Sequence, residues 1–143
     1  MAKIPENARW IGYIGALPLL VFSVSFVFGG PIFPGFALLG FMIYSGLVLA
    51  FLGGIRWGAG MVLDHLKTRE LILSMVPVVL AFIALVLDPS WGVVLLGVSY
   101  LAAWLFGLVA EPPGAPRWYP ILRTQLTVPA LLCHAILAYG LYF

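Results

Sequence analysis

Residues 35–55 read GFALLGFMIYSGLVLAFLGGI. No charged side chain interrupts the run, and about 20 apolar residues suffice to cross a bilayer as one helix. Lipid enforces the helical state. Without water, every backbone amide must be paired within its own segment, and a strand manages this only in a closed barrel. The run also lacks the alternating pattern of barrel strands. It decides the fold class: an all-α integral membrane protein.

Four further apolar stretches flank it, at roughly 10–29, 71–87, 91–110 and 125–143. Gly29-Gly30-Pro31 with Pro34 separates the first two spans, and Asp88-Pro89-Ser90 separates the third from the fourth. Such clusters mark turns. The expected architecture is a single membrane domain over residues 1–143, a bundle of five transmembrane helices. Composition agrees. The 143 residues are 64% hydrophobic and 8% charged, with a mean hydropathy of +1.14. A soluble domain carries about 25% charged residues to wet its surface.

A net charge of +2 with scattered charges excludes a nucleic-acid partner. The lone Cys133 excludes an internal disulfide and a multi-cysteine metal site. There is no Ser-His-Asp set, no phosphate loop and no pair of carboxylates within a span. The expectation is a non-enzyme with no metal and no cofactor.

All seven Lys and Arg residues fall on one side of a five-span topology. Lys3 and Arg9 precede the first span. Arg56, Lys67 and Arg69 lie between the second and third, and Arg117 and Arg123 between the fourth and fifth. The positive-inside rule makes that side cytoplasmic, which leaves the C-terminus periplasmic. A cytoplasmic reporter fused after Lys67 or Arg117 is expected to be active, and an exported one at Phe143. Cytoplasmic-reporter activity at Phe143 would overturn the five-span count.

The odd-numbered spans echo one another. Arg9 is followed by Pro18, Arg69 by Pro77 and Arg123 by Pro129. The even spans echo too: Leu38-Leu39-Gly40 leads to Tyr44, and Leu95-Leu96-Gly97 leads to Tyr100. A duplicated helix hairpin with a fifth helix added explains this. So does chance, because membrane helices draw on few residue types.

Small residues recur at i+4 on span 2 (Gly46, Ala50, Gly54, Gly58) and on span 4 (Ser99, Ala103, Gly107, continuing to Glu111). Such rows let helix backbones approach. Helix packing within the chain and a subunit interface both fit. Arg56 lies about 200° round the helix from Gly54, away from that row. It is read either as an arginine snorkelling to head groups or as a guanidinium turned inward. Glu111 is expected to pair with Arg56 or Arg123, with Arg123 favoured by its short loop. His134, deep in span 5, suits a satisfied core histidine or a haem ligand. His65 lies too far off in depth to be its partner. Asp64, Lys67, Arg69 and Glu70 read as a solvated mixed-charge turn.

Three blocks resemble the transmembrane protein 69 family: residues 4–13, IPENARWIGY; residues 51–58, FLGGIRWG, preceded by Tyr44; and residues 122–127, LRTQLT, preceded by Tyr119. The resemblance implies a small multi-pass membrane protein and carries no catalytic residue with it. With no Arg/Ser-rich transit peptide before the first span, the expected location is a bacterial inner membrane. Two functions follow as expectations. One is a non-enzymatic accessory or assembly subunit of a larger membrane protein complex. The other is a binder or carrier of a small amphipathic molecule, a quinone or lipid, near Arg56, Glu111 and Arg123. Membrane lipids are partners in either case.

Overall fold

The computed structural model describes residues 2–63 and 67–143. Those residues form five α-helices and no strand: α1 (Glu6–Phe28), α2 (Pro34–Val62), α3 (Thr68–Val86), α4 (Pro89–Val109) and α5 (Tyr119–Tyr142). All five are long and apolar enough to cross a membrane. Asp64 and His65, read above as loop residues, lie outside the described residues.

Local chemistry starts and stops the helices. Pro34, Pro89 and Pro120 occupy first turns, where a missing N–H costs no helical bond. The Asp88 carboxylate accepts from the Ser90 N–H at 3.1 Å and caps α4. α1 stops at Gly29, whose φ of 77° is open to glycine at no steric cost.

Contacts fix the direction of each helix. Gly46 faces Ala81 and Leu85, whereas Gly53, further along α2, faces Ser74, earlier in α3. These two helices are therefore antiparallel. Tyr13 meets Gln125 near the start of α1, and Phe26 and Val27 meet Gly140 near its end, so α1 and α5 run parallel. α2 and α4 are parallel as well, because Ser45 bonds Tyr100 and Arg56 bonds Ala110. Each helix packs on the next, α5 closes the ring onto α1, and α2 touches α4 across the middle. Phe41, Leu49, Leu96 and Leu137 fill the core. Outward, Ile11, Phe51, Phe82, Val109 and Leu132 are each more than half exposed. Water does not sustain so continuous an apolar surface on a monomer, but lipid does.

All five helices begin before the expected spans, and α2 and α5 overrun them most. α2 continues to Val62 instead of stopping at 55, and α5 begins at Tyr119 instead of 125. Hydropathy ends a span at its first charge. The backbone continues past Arg56 and Arg123 because each arginine finds partners inside the bundle.

The i+4 row on α2 does not stay on one face. Each four-residue step overshoots a full turn by about 40°. The buried side instead advances in steps of seven, through Met42, Leu49 and Arg56 and through Gly46, Gly53 and Gly60. Gly46 packs on α3 and Ala50 is half-buried, but a Cβ at Gly54 or Gly58 would meet nothing within 4 Å. A Cβ on Gly53 would collide with the Ser74 carbonyl oxygen. Close approach to α3 thus occurs at Gly53 and not at Gly54.

The interior prolines, Pro18, Pro77 and Pro129, leave their helices unbroken. Just before Pro18, the Gly15 carbonyl accepts from the Tyr44 hydroxyl at 2.6 Å. The Ser45 carbonyl accepts from the Tyr100 hydroxyl at 2.9 Å. The two echoing tyrosines therefore do the same thing: each ties an even-numbered helix to the backbone of a neighbour.

Candidate functional site

The basic ends of α2–α5 converge on two guanidinium groups. Arg56 sits on the seam side of α2 and is 7% exposed. It does not snorkel. Its Nη1 donates to Glu70 Oε2 at 2.7 Å. Its Nη2 donates to the Ala110 carbonyl, one of the orphan acceptors at the C-terminal end of α4. The Phe106 ring lies 5.1 Å from its Cζ, within cation–π range.

Glu70 is the counter-charge that the sequence reading missed. By sequence alone it groups with Asp64, Lys67 and Arg69 as a solvated turn. The available signal was position. α3 begins at Thr68, which places Glu70 in a first turn, just across the connection from the end of α2 where Arg56 lies.

Glu111 pairs with neither arginine. The salt bridge found among the described residues is Arg56–Glu70, and Glu111 is exposed. The cause is local. Ala110 leaves helical geometry, with φ −134° and ψ 84°. Pro112 then disfavours the helical region for Glu111 itself. The carboxylate is carried outward instead of continuing the small-residue row.

That row has another role on α4. Ser99 is buried and turns its hydroxyl back to the Leu95 carbonyl at 2.7 Å. Ala103 offers its carbonyl to Arg123 Nη2. A Cβ on Gly107 would fall on the Arg123 guanidinium. Ala103 and Gly107 thus form a cradle for an arginine side chain. Trp104 helps hold α5 in register by donating to Thr124 Oγ1 at 3.0 Å. The Tyr119 hydroxyl faces Arg123 from one turn earlier on α5. The Arg123 Nε is buried and has no hydrogen-bond partner.

Two cavities adjoin this group. The smaller, about 170 Å3, lies among α2, α3 and α4 and is walled by Arg56, Pro77, Ala103 and Arg123. The larger, about 510 Å3, lies among α1, α2 and α5. Gly12, Gly15, Leu19, Val48, Leu52 and Leu126 give it apolar walls, while Tyr119, Arg123 and Thr127 supply polar atoms. Exposed Ile11 and Phe51 stand on its lining. Arg123 lines both cavities.

Deeper in the bundle, His134 is enclosed by Phe41 and Tyr100, with ring centroids 4.8 and 4.9 Å away. Its Nδ1 lies 2.7 Å from the Ala130 carbonyl, which can only accept, so Nδ1 carries the proton. Nε2 then accepts from the Ser45 hydroxyl at 2.7 Å. With both nitrogens engaged and the ring 3% exposed, His134 is a satisfied core histidine.

Five spanning helices around one buried arginine, Arg56, and one half-buried arginine, Arg123, define a multi-pass membrane protein. The chain belongs to the family described as "Protein of unknown function (DUF3429)", which matches residues 4–139. It is also similar to Transmembrane protein 69 of Xenopus tropicalis, with 30% identity over 131 residues. That match covers 89% of this chain and 51% of the relative, so the chain spans about half the relative's length. The transmembrane protein 69 resemblance read from residues 4–13, 51–58 and 122–127 is thereby upheld. No solved structure matches the chain.

Proposed function

We propose that the chain binds a small amphipathic molecule within the membrane. The observation that carries this reading is the cavity of about 510 Å3 among α1, α2 and α5, mostly apolar, with polar atoms at Tyr119, Arg123 and Thr127. Ligand pockets have this character: a volume of about 300–1,000 Å3, mostly apolar walls and a few placed polar groups. The arginine end is assigned to the cytoplasmic side of that membrane, because all seven Lys and Arg fall on one side of the five-span topology.

The alternative, an accessory subunit, drew its support from free small-residue faces. Gly46 and Gly53 are taken up by α3 and Gly107 by Arg123, which leaves Gly54 and Gly58. The amphiphile reading is therefore the stronger.

Gly15 offers a clean test. It lines the large cavity, and a Cβ there meets only the Tyr44 hydroxyl, at 4.0 Å. Gly15→Leu is expected to narrow the cavity, its Cβ meeting no obstacle. Native mass spectrometry from neutral detergent should show co-purified amphiphile on the parent protein and its loss from the variant, with thermal stability retained. Equal retention by both proteins would place the binding elsewhere.

A further inference from the structure

We infer that the ligand is an anion, and that its oxyanion sits on the Arg123 guanidinium and the Tyr119 hydroxyl. This rests on the cavity reading above and narrows it from any amphiphile to an anionic one.

The argument begins with charge. Among the described residues, Arg56 and Arg123 line the cavities and Glu70 lies against Arg56. Glu70 is taken by Arg56, and Glu111 is exposed. Arg123 therefore has no carboxylate within salt-bridge distance among the described residues. A cation between spanning helices without a counter-ion is costly, and such residues pair or face a pathway. Arg123 Nη2 donates to the Ala103 carbonyl. A carbonyl dipole relieves part of the cost but leaves the net charge.

Hydrogen bonding gives the same answer. A guanidinium has five N–H donors in a planar fork and no acceptor. The Arg123 Nε–H is buried and unpaired, and an unsatisfied donor on a charged group is heavily penalised. The guanidinium as a whole is therefore short of acceptors. Arg123 lines the large apolar cavity, and the Tyr119 hydroxyl beside it is a second donor. Two donors and an uncompensated positive charge at one end of an apolar hole fit a carboxylate or phosphate head with its tail lying along Leu19, Val48 and Leu126. A neutral quinone would satisfy the donors but leave the charge. Gly107 makes the room in which the guanidinium lies.

The test uses the full chain in neutral maltoside micelles and four probes: hexadecanoate, hexadecyl phosphate, hexadecanol and decylubiquinone. The two anions are expected to bind roughly 10- to 100-fold tighter than the alcohol and the quinone, the factor associated with a hydrogen bond to a charged group. The tighter anion assigns the source, a free fatty acid for the carboxylate or a phospholipid for the phosphate. Arg123→Gln should abolish the preference while hexadecanol binds as before. Because the series is measured first on the unaltered chain, the inference is exposed even if that variant does not fold. Decylubiquinone binding as tightly as the anions would overturn the anion assignment and leave the cavity reading intact. If Gly15→Leu binds the anions as the parent does, both fall.

Discussion

Glu70→Gln is expected to lower the stability of the bundle by about 3 kcal/mol, because it leaves the Arg56 guanidinium buried without a counter-charge. Breaking one side of a buried ion pair costs about 3–5 kcal/mol, whereas an exposed pair contributes about 0–1. Arg56 and Glu70 have side chains 8% and 17% exposed, which places them toward the buried limit but at its lower edge. Ala110 and Phe106 still hold part of the guanidinium, but neither carries a charge. Equilibrium unfolding in mixed micelles measures the loss. The double variant Arg56→Met with Glu70→Leu discriminates mechanism from damage. Replacing both members of a buried pair with apolar residues is often neutral or stabilising, so it should unfold close to the parent and well above Glu70→Gln. A Glu70→Gln protein within about 1 kcal/mol of the parent would mean that water screens the pair.

The fold was legible because membrane physics leaves few options. A run such as residues 35–55 has to be helical, and five such runs joined by turn residues have to form a bundle. Helix ends and partner choice were less legible. Arg56 looked terminal because hydropathy cannot see that a charge is paired inside. Glu111 looked like the natural partner because it continues the i+4 row of α4, but Pro112 and Pro113 turn the chain out before that row reaches it. Glu70 looked solvated because three other charged residues surround it in sequence. Its position in the first turn of α3, across from the end of α2, was the overlooked signal. Arg123 stands out in the sequence as a charge near a span, yet its cradle at Ala103 and Gly107 reads there as a surface for helix packing. Nothing in a small-residue row distinguishes a groove for a backbone from a groove for a guanidinium.

Gly53 and Gly54 put the same lesson into one adjacent pair, and replacing each by alanine is expected to give opposite results. At Gly54 an added Cβ meets nothing within 4 Å. Removing a helical glycine there should be neutral or stabilise by about 0.5–1 kcal/mol. At Gly53 the added Cβ overlaps the Ser74 carbonyl oxygen and lies 3.3 Å from Pro77 Cγ. The obstacle is backbone, next to a proline ring, so no side-chain rotation relieves it. Overpacking of this kind costs about 1–3 kcal/mol, and an immovable neighbour points to the upper end. The strain also has a direction. Pushing α3 away at Ser74 moves Glu70, one turn earlier on the same face, away from Arg56. Gly53→Ala and Glu70→Gln should then be less than additive, because the first already weakens the pair that the second removes. Thermal unfolding of the two alanine variants and of the Gly53→Ala, Glu70→Gln double variant in one detergent tests all three statements. Equal stability of the two alanine variants would show that α2 and α3 do not meet at Gly53. Strict additivity in the double variant would show that the glycine contact and the ion pair act on α3 independently.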